Sequence, residues 1–171
     1  FRPGEVEFII YGDINQEYQK ILEQLDENGL MHFAGEYTLD DFKTISEEVD
    51  AIIIPSVWED CAPLVLVESL AMKLPVIASD IGGIPDFIRH RHNGMLYRHN
   101  SAKELAEIIY NFIKEPKLLE QLRQNIELPY TFDDWVDHVA LSFDGIIQGK
   151  SENMDLIFFD QMKPNETEED D

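Results

Sequence analysis

The residues with the clearest chemical potential are two acids, Asp60 and Glu68, with seven residues between them. Glu68 falls inside a predicted helix, Leu64–Lys73, that is apolar on nearly every face, and helices of that kind are buried. A carboxylate that is buried without a partner is costly, so its charge or its lone pairs must be satisfied. A pair of ligand hydroxyls would satisfy them, as would backbone groups or Lys73, which lies one position beyond the usual i,i+4 spacing. Asp60 is either a second ligand contact or simply an acid in a loop.

The start of the same helix predicts an anion site. Pro63 favours the first helical position because its missing N–H would be unpaired there, so the N–H groups of Leu64 and Val65 would point toward the preceding loop. A helix N-terminus carries about half a positive charge from its dipole and binds anions readily. The Gly82-Gly83 pair follows the next predicted strand and either lets the backbone approach a ligand closely or forms an ordinary turn.

Apolar runs that alternate with helical patterns predict the elements that would position these residues. The predicted strands are Val6–Tyr11, Leu30–Ala34, Ala51–Pro55, Pro75–Ser79 and Met95–Tyr97. The predicted helices are Glu17–Glu27, Leu39–Glu48, Leu64–Lys73, Ile84–Ile88, Ala102–Lys114, Pro116–Glu127 and Phe132–Ile147. Regular β-α alternation predicts an α/β fold with a doubly wound, mainly parallel sheet of five strands. Ligands bind at the carboxyl ends of such strands, so the loops of interest are 12–16, 35–38, 56–62 and 80–84.

Composition excludes several classes of function. The chain carries 13 Lys and Arg against 35 Asp and Glu, a formal net charge of -22, with sixteen acids and only three bases in residues 1–72. Such a chain is not expected to bind DNA or RNA, which relies on basic patches, or to adhere to an anionic membrane. No apolar run approaches the roughly 18 residues of a transmembrane helix. The single cysteine, Cys61, excludes an internal disulfide and a multi-cysteine metal site, and a reducing, cytoplasmic compartment is expected.

A basic island near the middle of the chain carries three histidines, His90, His92 and His99. Three histidines on a turn and one strand do not fix a tetrahedral ligand set, so no metal site is expected. The island is either a solvated loop or a contact for an acceptor or a partner domain.

The stretch Pro55–Asp86 resembles the signature of retaining glycosyltransferases with the GT-B fold, the "group 1" family with an acid-x7-acid motif. Its two acids, small-residue helix, Pro-Val strand and Gly-Gly loop stand in the order of that signature. The similarity runs from about Val6 to about Ile147 and includes the Asn93-Gly94 turn and Trp135. The resemblance implies a C-terminal, Rossmann-like, donor-nucleotide-binding domain in residues 1–150, followed by an acidic tail or linker in residues 151–171.

The resemblance also implies a role for each site residue. Glu68 would hold the ribose hydroxyls of the donor by a bidentate contact, and the N–H groups of Leu64 and Val65 would bind the distal phosphate. Asp60 would be the catalytic residue, in contact with the donor sugar. The family usually has Glu at that position, and Glu59 is an alternative here. The Gly82-Gly83 pair would let the backbone approach the nucleotide.

Further expectations follow for the whole enzyme. The donor would be a UDP-sugar or GDP-sugar, used without a metal ion or other cofactor in polysaccharide or glycoconjugate synthesis. The resemblance places a first strand with an Arg- and Lys-bearing loop, and an N-terminal domain that binds a sugar, lipid or protein acceptor, before Phe1. These residues alone would then be inactive and would bind nucleotide weakly, and the whole enzyme would be cytoplasmic or peripheral at the membrane. The alternatives are a sugar-nucleotide epimerase of similar architecture and a non-catalytic interaction module.

Overall fold

The structure, a computed structural model, describes residues 1–127 and the single positions 140 and 143. Its strands are β1 (Phe8–Tyr11), β2 (Met31–Gly35), β3 (Ile52–Ile54), β4 (Val76–Asp80) and β5 (Gly94–Arg98). Its helices are α1 (Gln16–Leu25), α2 (Phe42–Glu48), α3 (Leu64–Ala71), α4 (Ala102–Lys114) and α5 (Lys117–Gln124). Helices and strands alternate along the chain up to α4, except that a 3-10 turn links β4 to β5, and every pairing among the described strands is parallel, which confirms the α/β class. The predicted helix Phe132–Ile147, Trp135 and the acidic tail 151–171 lie outside the described residues.

The parallel strands form two sheets where one was expected. A two-stranded sheet pairs β1 with β2, and a three-stranded sheet has the order β3-β4-β5. The doubly wound order is 3-2-1-4-5-6. The observed orders, β2-β1 and β3-β4-β5, match that order with its first strand left out, and β1 and β3 are not paired with each other.

The core lies on both faces of the three-stranded sheet. Alternate residues of a strand point to opposite faces. Val76 and Ala78 accordingly pack with Leu66 and Leu70 of α3, whereas Ile77 packs in a second cluster formed with α4 and α5. The second cluster also contacts partly buried side chains of β1 and β3, so the two sheets share a core.

Three local expectations were wrong. Pro63 caps the N-terminus of α3, with φ −59° and ψ 133°, and the first helical residue is Leu64. Leu64 is 80% exposed, so α3 is buried on one side and not all round. The predicted helix Ile84–Ile88 is a short 3-10 turn over Ile84–Asp86.

Within the described part of the chain, no helix is long and apolar enough to cross a membrane.

Candidate functional site

The four loops that follow strands join in two pairs at the carboxyl ends of the sheets. After the two-stranded sheet, the Gly12 N–H donates to the Gly35 carbonyl oxygen at 2.7 Å. After the three-stranded sheet, the Ser79 hydroxyl donates to the Ser56 carbonyl oxygen at 2.6 Å. The loops that the sequence singled out are therefore neighbours in the fold.

The two glycines after β4 bring their loop against the loop that carries Asp60. The Gly83 N–H donates to the Asp60 carbonyl oxygen at 2.8 Å. A Cβ on Gly83 would overlap the Cys61 carbonyl group, and one on Gly82 would overlap the Asp60 backbone, where the φ of +58° also disfavours a side chain. Glycine is required here by this backbone contact, and the contact fixes the position of Asp60.

Glu68 is half-buried in α3, and its partner is a residue that sequence reasoning did not single out. The Tyr37 hydroxyl, from the loop after β2, donates to Glu68 Oε2 at 2.6 Å. Lys73 instead donates from Nζ to the Ile126 carbonyl oxygen. No ion pair to Glu68, and no hydrogen bond to its Oε1, occurs within residues 1–127. One carboxylate oxygen is satisfied and the other is available to a ligand.

Tyr37 is itself held by aromatic neighbours. Its ring meets Tyr11 edge-on, with centroids 5.9 Å apart, and lies 6.3 Å from the ring of Phe42. Burial, followed by the hydrogen bond to Glu68 and the negative charge of Glu68, raises the pKa of Tyr37 to about 12. The phenol therefore stays protonated at neutral pH and acts as the donor in this bond.

The N-terminus of α3 lies one to two turns from Glu68 on the same helix. Pro63 provides no side-chain cap, and the Leu66 N–H turns back to the Pro63 carbonyl oxygen at 2.9 Å. The N–H groups of Leu64 and Val65 thus have no capping side chain, as the anion-site prediction requires. Asp60 lies on the exposed loop that leads into this helix.

The signal that could have identified Tyr37 was its place in the chain. Tyr37 lies in one of the four loops at the carboxyl ends of the strands. Two other aromatic residues lie close to the carboxyl ends of β1 and β2 in the chain, Tyr11 at the end of β1 and Phe42 at the start of α2. Sequence reasoning sought the partner of Glu68 in α3 itself and so considered Lys73. A contact between residues 31 positions apart depends on the tertiary fold.

The basic island forms a structured turn. The His90 Nδ1 accepts a hydrogen bond from the Leu96 N–H at 3.0 Å, so this nitrogen is engaged in shaping the turn. Among the described residues, no group of three His, Cys, Asp or Glu side chains could hold a metal ion.

Comparison with known sequences identifies a matching family and several relatives of this chain. Residues 3–128 match the family model described as "Glycosyl transferases group 1". The chain is 28% identical over 110 residues to the amylovoran biosynthesis glycosyltransferase AmsK of Erwinia amylovora, covering 61% of this chain and 27% of that protein. It is 31% identical over 86 residues to the putative teichuronic acid biosynthesis glycosyltransferase TuaC of Bacillus subtilis, covering 47% of this chain and 21% of that protein. The chain thus spans about a third or less of the length of these curated relatives.

Solved structures share the fold. Anabaena HepE in complex with UDP-glucose is 27% identical and superposes with a TM-score of 0.64, covering 73% of this chain and 36% of that one. Sucrose-phosphate synthase from Thermosynechococcus elongatus is 16% identical with a TM-score of 0.69, covering 82% of this chain and 38% of that one, which is evidence on the fold alone. These structures confirm the expected Rossmann-like half of a GT-B fold.

Proposed function

Because the chain belongs to the group 1 glycosyltransferases, we propose that it binds a nucleoside-diphosphate sugar and holds it for transfer of the sugar to an acceptor hydroxyl with retention. A UDP-sugar is the favoured donor, since the HepE structure contains UDP-glucose. The relatives that act in polysaccharide biosynthesis point to a carbohydrate acceptor.

The observation that carries this proposal is the state of Glu68. It is a half-buried carboxylate whose Oε2 is taken by Tyr37 and whose Oε1 has no partner within residues 1–127. A carboxylate of this kind gains most from a donor such as a ribose hydroxyl, because hydrogen bonds to charged groups are stronger than neutral ones. Within residues 1–127 no cation forms an ion pair with Glu68, and the hydrogen bond from Tyr37 is the one that holds its carboxylate.

The remaining roles follow from the neighbouring groups. The N–H groups of Leu64 and Val65 would bind the distal phosphate at the start of α3. Asp60, fixed by the glycine contact, would lie beside the donor sugar. In the reaction, the bond from the anomeric carbon to the diphosphate oxygen breaks as the acceptor oxygen bonds to that carbon, and the proton of the acceptor hydroxyl passes to the departing diphosphate oxygen. Stabilising the departing diphosphate is then the main catalytic task, and we propose that it needs no metal ion.

We further propose that the place between β1 and β3 belongs to a parallel strand from another part of a longer polypeptide. Both edges that border it are apolar, FIIY in β1 and III in β3, as expected of strands inside a parallel sheet. The loop at the carboxyl end of that strand would lie at the reversal of strand order, where ligands bind. A loop with Arg or Lys there would offset the sixteen acids of residues 1–72.

The donor site is tested by calorimetry, which measures the binding of UDP, GDP and ADP to the longest natural polypeptide that contains these residues. Glu68→Ala is expected to weaken UDP binding by about 10- to 100-fold, the loss of a hydrogen bond to a charged group. Glu107→Ala is the control, since it removes the same charge from an exposed position on α4. Equal UDP affinity of Glu68→Ala and wild type would refute the assignment.

A further inference from the structure

The contact between Tyr37 and Glu68 joins the two sheets across the site. Tyr37 lies in the loop after β2 of the two-stranded sheet, and Glu68 lies in α3, which packs on β3 and β4 of the three-stranded sheet. Tyr11 at the end of β1 and Phe42 at the start of α2 hold the ring on two sides. The position of the phenolic oxygen is therefore set by the two-stranded sheet.

We infer that Tyr37 is a positioning residue that orients the Glu68 carboxylate and assigns one oxygen, Oε1, to the ribose hydroxyls of the donor. This inference rests on the proposed function and changes it in one respect. A single free carboxylate oxygen accepts the hydrogen bonds of the ribose hydroxyls, whereas the resemblance implied a bidentate contact.

The physical reason is the freedom of a glutamate side chain on a helix. Without a fixed partner, a glutamate samples several rotamers, and ordering it on binding reduces affinity. Tyr37 supplies that order in advance, because its bond to Oε2 is short and its ring is packed on two sides. The carboxylate is then preorganised before the nucleotide arrives.

The test compares UDP with 2′,3′-dideoxy-UDP, which lacks the ribose hydroxyls, by calorimetry on the longest natural polypeptide. Wild type is expected to prefer UDP by about tenfold or more. Tyr37→Phe keeps the ring and removes only the hydroxyl, and is expected to reduce that preference to about twofold. Tyr110→Phe on α4 removes a hydroxyl from an exposed tyrosine away from the site and is expected to keep the full preference.

A double-mutant cycle shows whether the two residues act together. Glu68→Gln is expected to reduce the preference by itself, and adding Tyr37→Phe to it is expected to change nothing more. If the effects of the two substitutions on the preference for UDP are additive, the inference is overturned. So would a Tyr37→Phe variant that melts at a lower temperature and still keeps the wild-type preference, because its role would then be only structural.

Failure of the proposed function gives a different result. If wild type binds UDP and 2′,3′-dideoxy-UDP with equal affinity, Glu68 does not bind the ribose hydroxyls. The positioning role of Tyr37 is then refuted together with the proposed function. If wild type discriminates and Tyr37→Phe discriminates as well, the donor site stands and the inference about Tyr37 alone is overturned.

Discussion

The two sheets of this domain contrast in burial although their strands are similarly apolar. In the three-stranded sheet, the first four residues of β4, Val76–Ser79, are buried, because β4 has a strand on each side and helices on both faces. In the two-stranded sheet, no residue of β1 is fully buried, and α1 has no buried residue. The difference shows that apolar sequence alone does not bury a strand. Helices packed on the faces of a strand are needed as well: within residues 1–127 β5 has one neighbouring strand, as β1 has, but α4 packs on β5 and most of β5 is buried.

The two sheets also contribute differently to the site. The three-stranded sheet and α3 supply the groups proposed to touch the ligand. The two-stranded sheet supplies Tyr37, which donates a hydrogen bond to Glu68 and is proposed to act on the ligand through it. The site therefore depends on how well the less buried sheet is held in place.

The largest expected effect is on core packing. Leu66 in α3 is 0% exposed, and Leu66→Ala is expected to reduce the free energy of unfolding by about 2–5 kcal/mol through lost burial and a cavity. Leu25 in α1 is 68% exposed, and Leu25→Ala is expected to cost less than about 0.5 kcal/mol. Urea unfolding measures both. Similar losses for the two variants would mean that the two sheets are equally buried and that the contrast is wrong.

A second pair of substitutions compares glycines. Gly83→Ala would force a Cβ into the Cys61 carbonyl group and is expected to cost about 3 kcal/mol, with displacement of the loop that carries Asp60. Gly35→Ala, after β2, meets no atom within 4 Å and is expected to cost only about 1 kcal/mol, because its φ is +79°. Thermal unfolding of the two variants measures which substitution costs more stability. A larger loss for Gly35→Ala would contradict the close approach of the two loops.

Some features of the fold and the site could be predicted from the sequence, and others could not. The order of elements and the lack of a capping side chain at the start of α3 follow from local patterns, and residues within one or two turns specify them. The division into two sheets, the Tyr37–Glu68 bond and the contact of Gly83 with Cys61 join distant segments. Their partners are fixed by tertiary packing, which no local pattern in the chain reports.

The open edges of β1 and β3 give the third prediction. Phe8 and Ile52 direct their N–H groups to Leu30 and Pro75, inside the existing sheets. Because N–H direction alternates along a strand, the N–H groups of Ile9, Tyr11 and Ile53 point away from β2 and β4, toward the position proposed for the inserted strand.

Hydrogen exchange can test this arrangement. In the chain alone, the amides of Ile9, Tyr11 and Ile53 are expected to exchange about tenfold faster than those of Phe8 and Ile52. In the longest natural polypeptide that contains these residues, all five amides are expected to be protected. Equal rates at the three open-edge amides in both proteins would refute the inserted strand. Protection in the chain alone that rises with its concentration would point to a second copy in that place.

The smallest expected effect is on the pH dependence of stability. The pKa of Tyr37 is raised from 10.0 to about 12, so folding favours the neutral phenol. The stabilisation is fully present below pH 10 and is lost as the pH rises toward 12. The free energy of unfolding should fall more steeply over this range in wild type than in Tyr37→Phe. Urea unfolding at a series of alkaline pH values measures it, and parallel curves would mean that the Tyr37 hydroxyl is not held by Glu68.

The most direct test of the donor site is an amide NMR titration of the chain with UDP, because it locates even weak binding. We expect the largest shifts at Leu64, Val65 and Tyr37, no shifts in α5, and no shifts at any of these residues in Glu68→Ala. Shifts centred on other residues, or a pattern unchanged in Glu68→Ala, would contradict it.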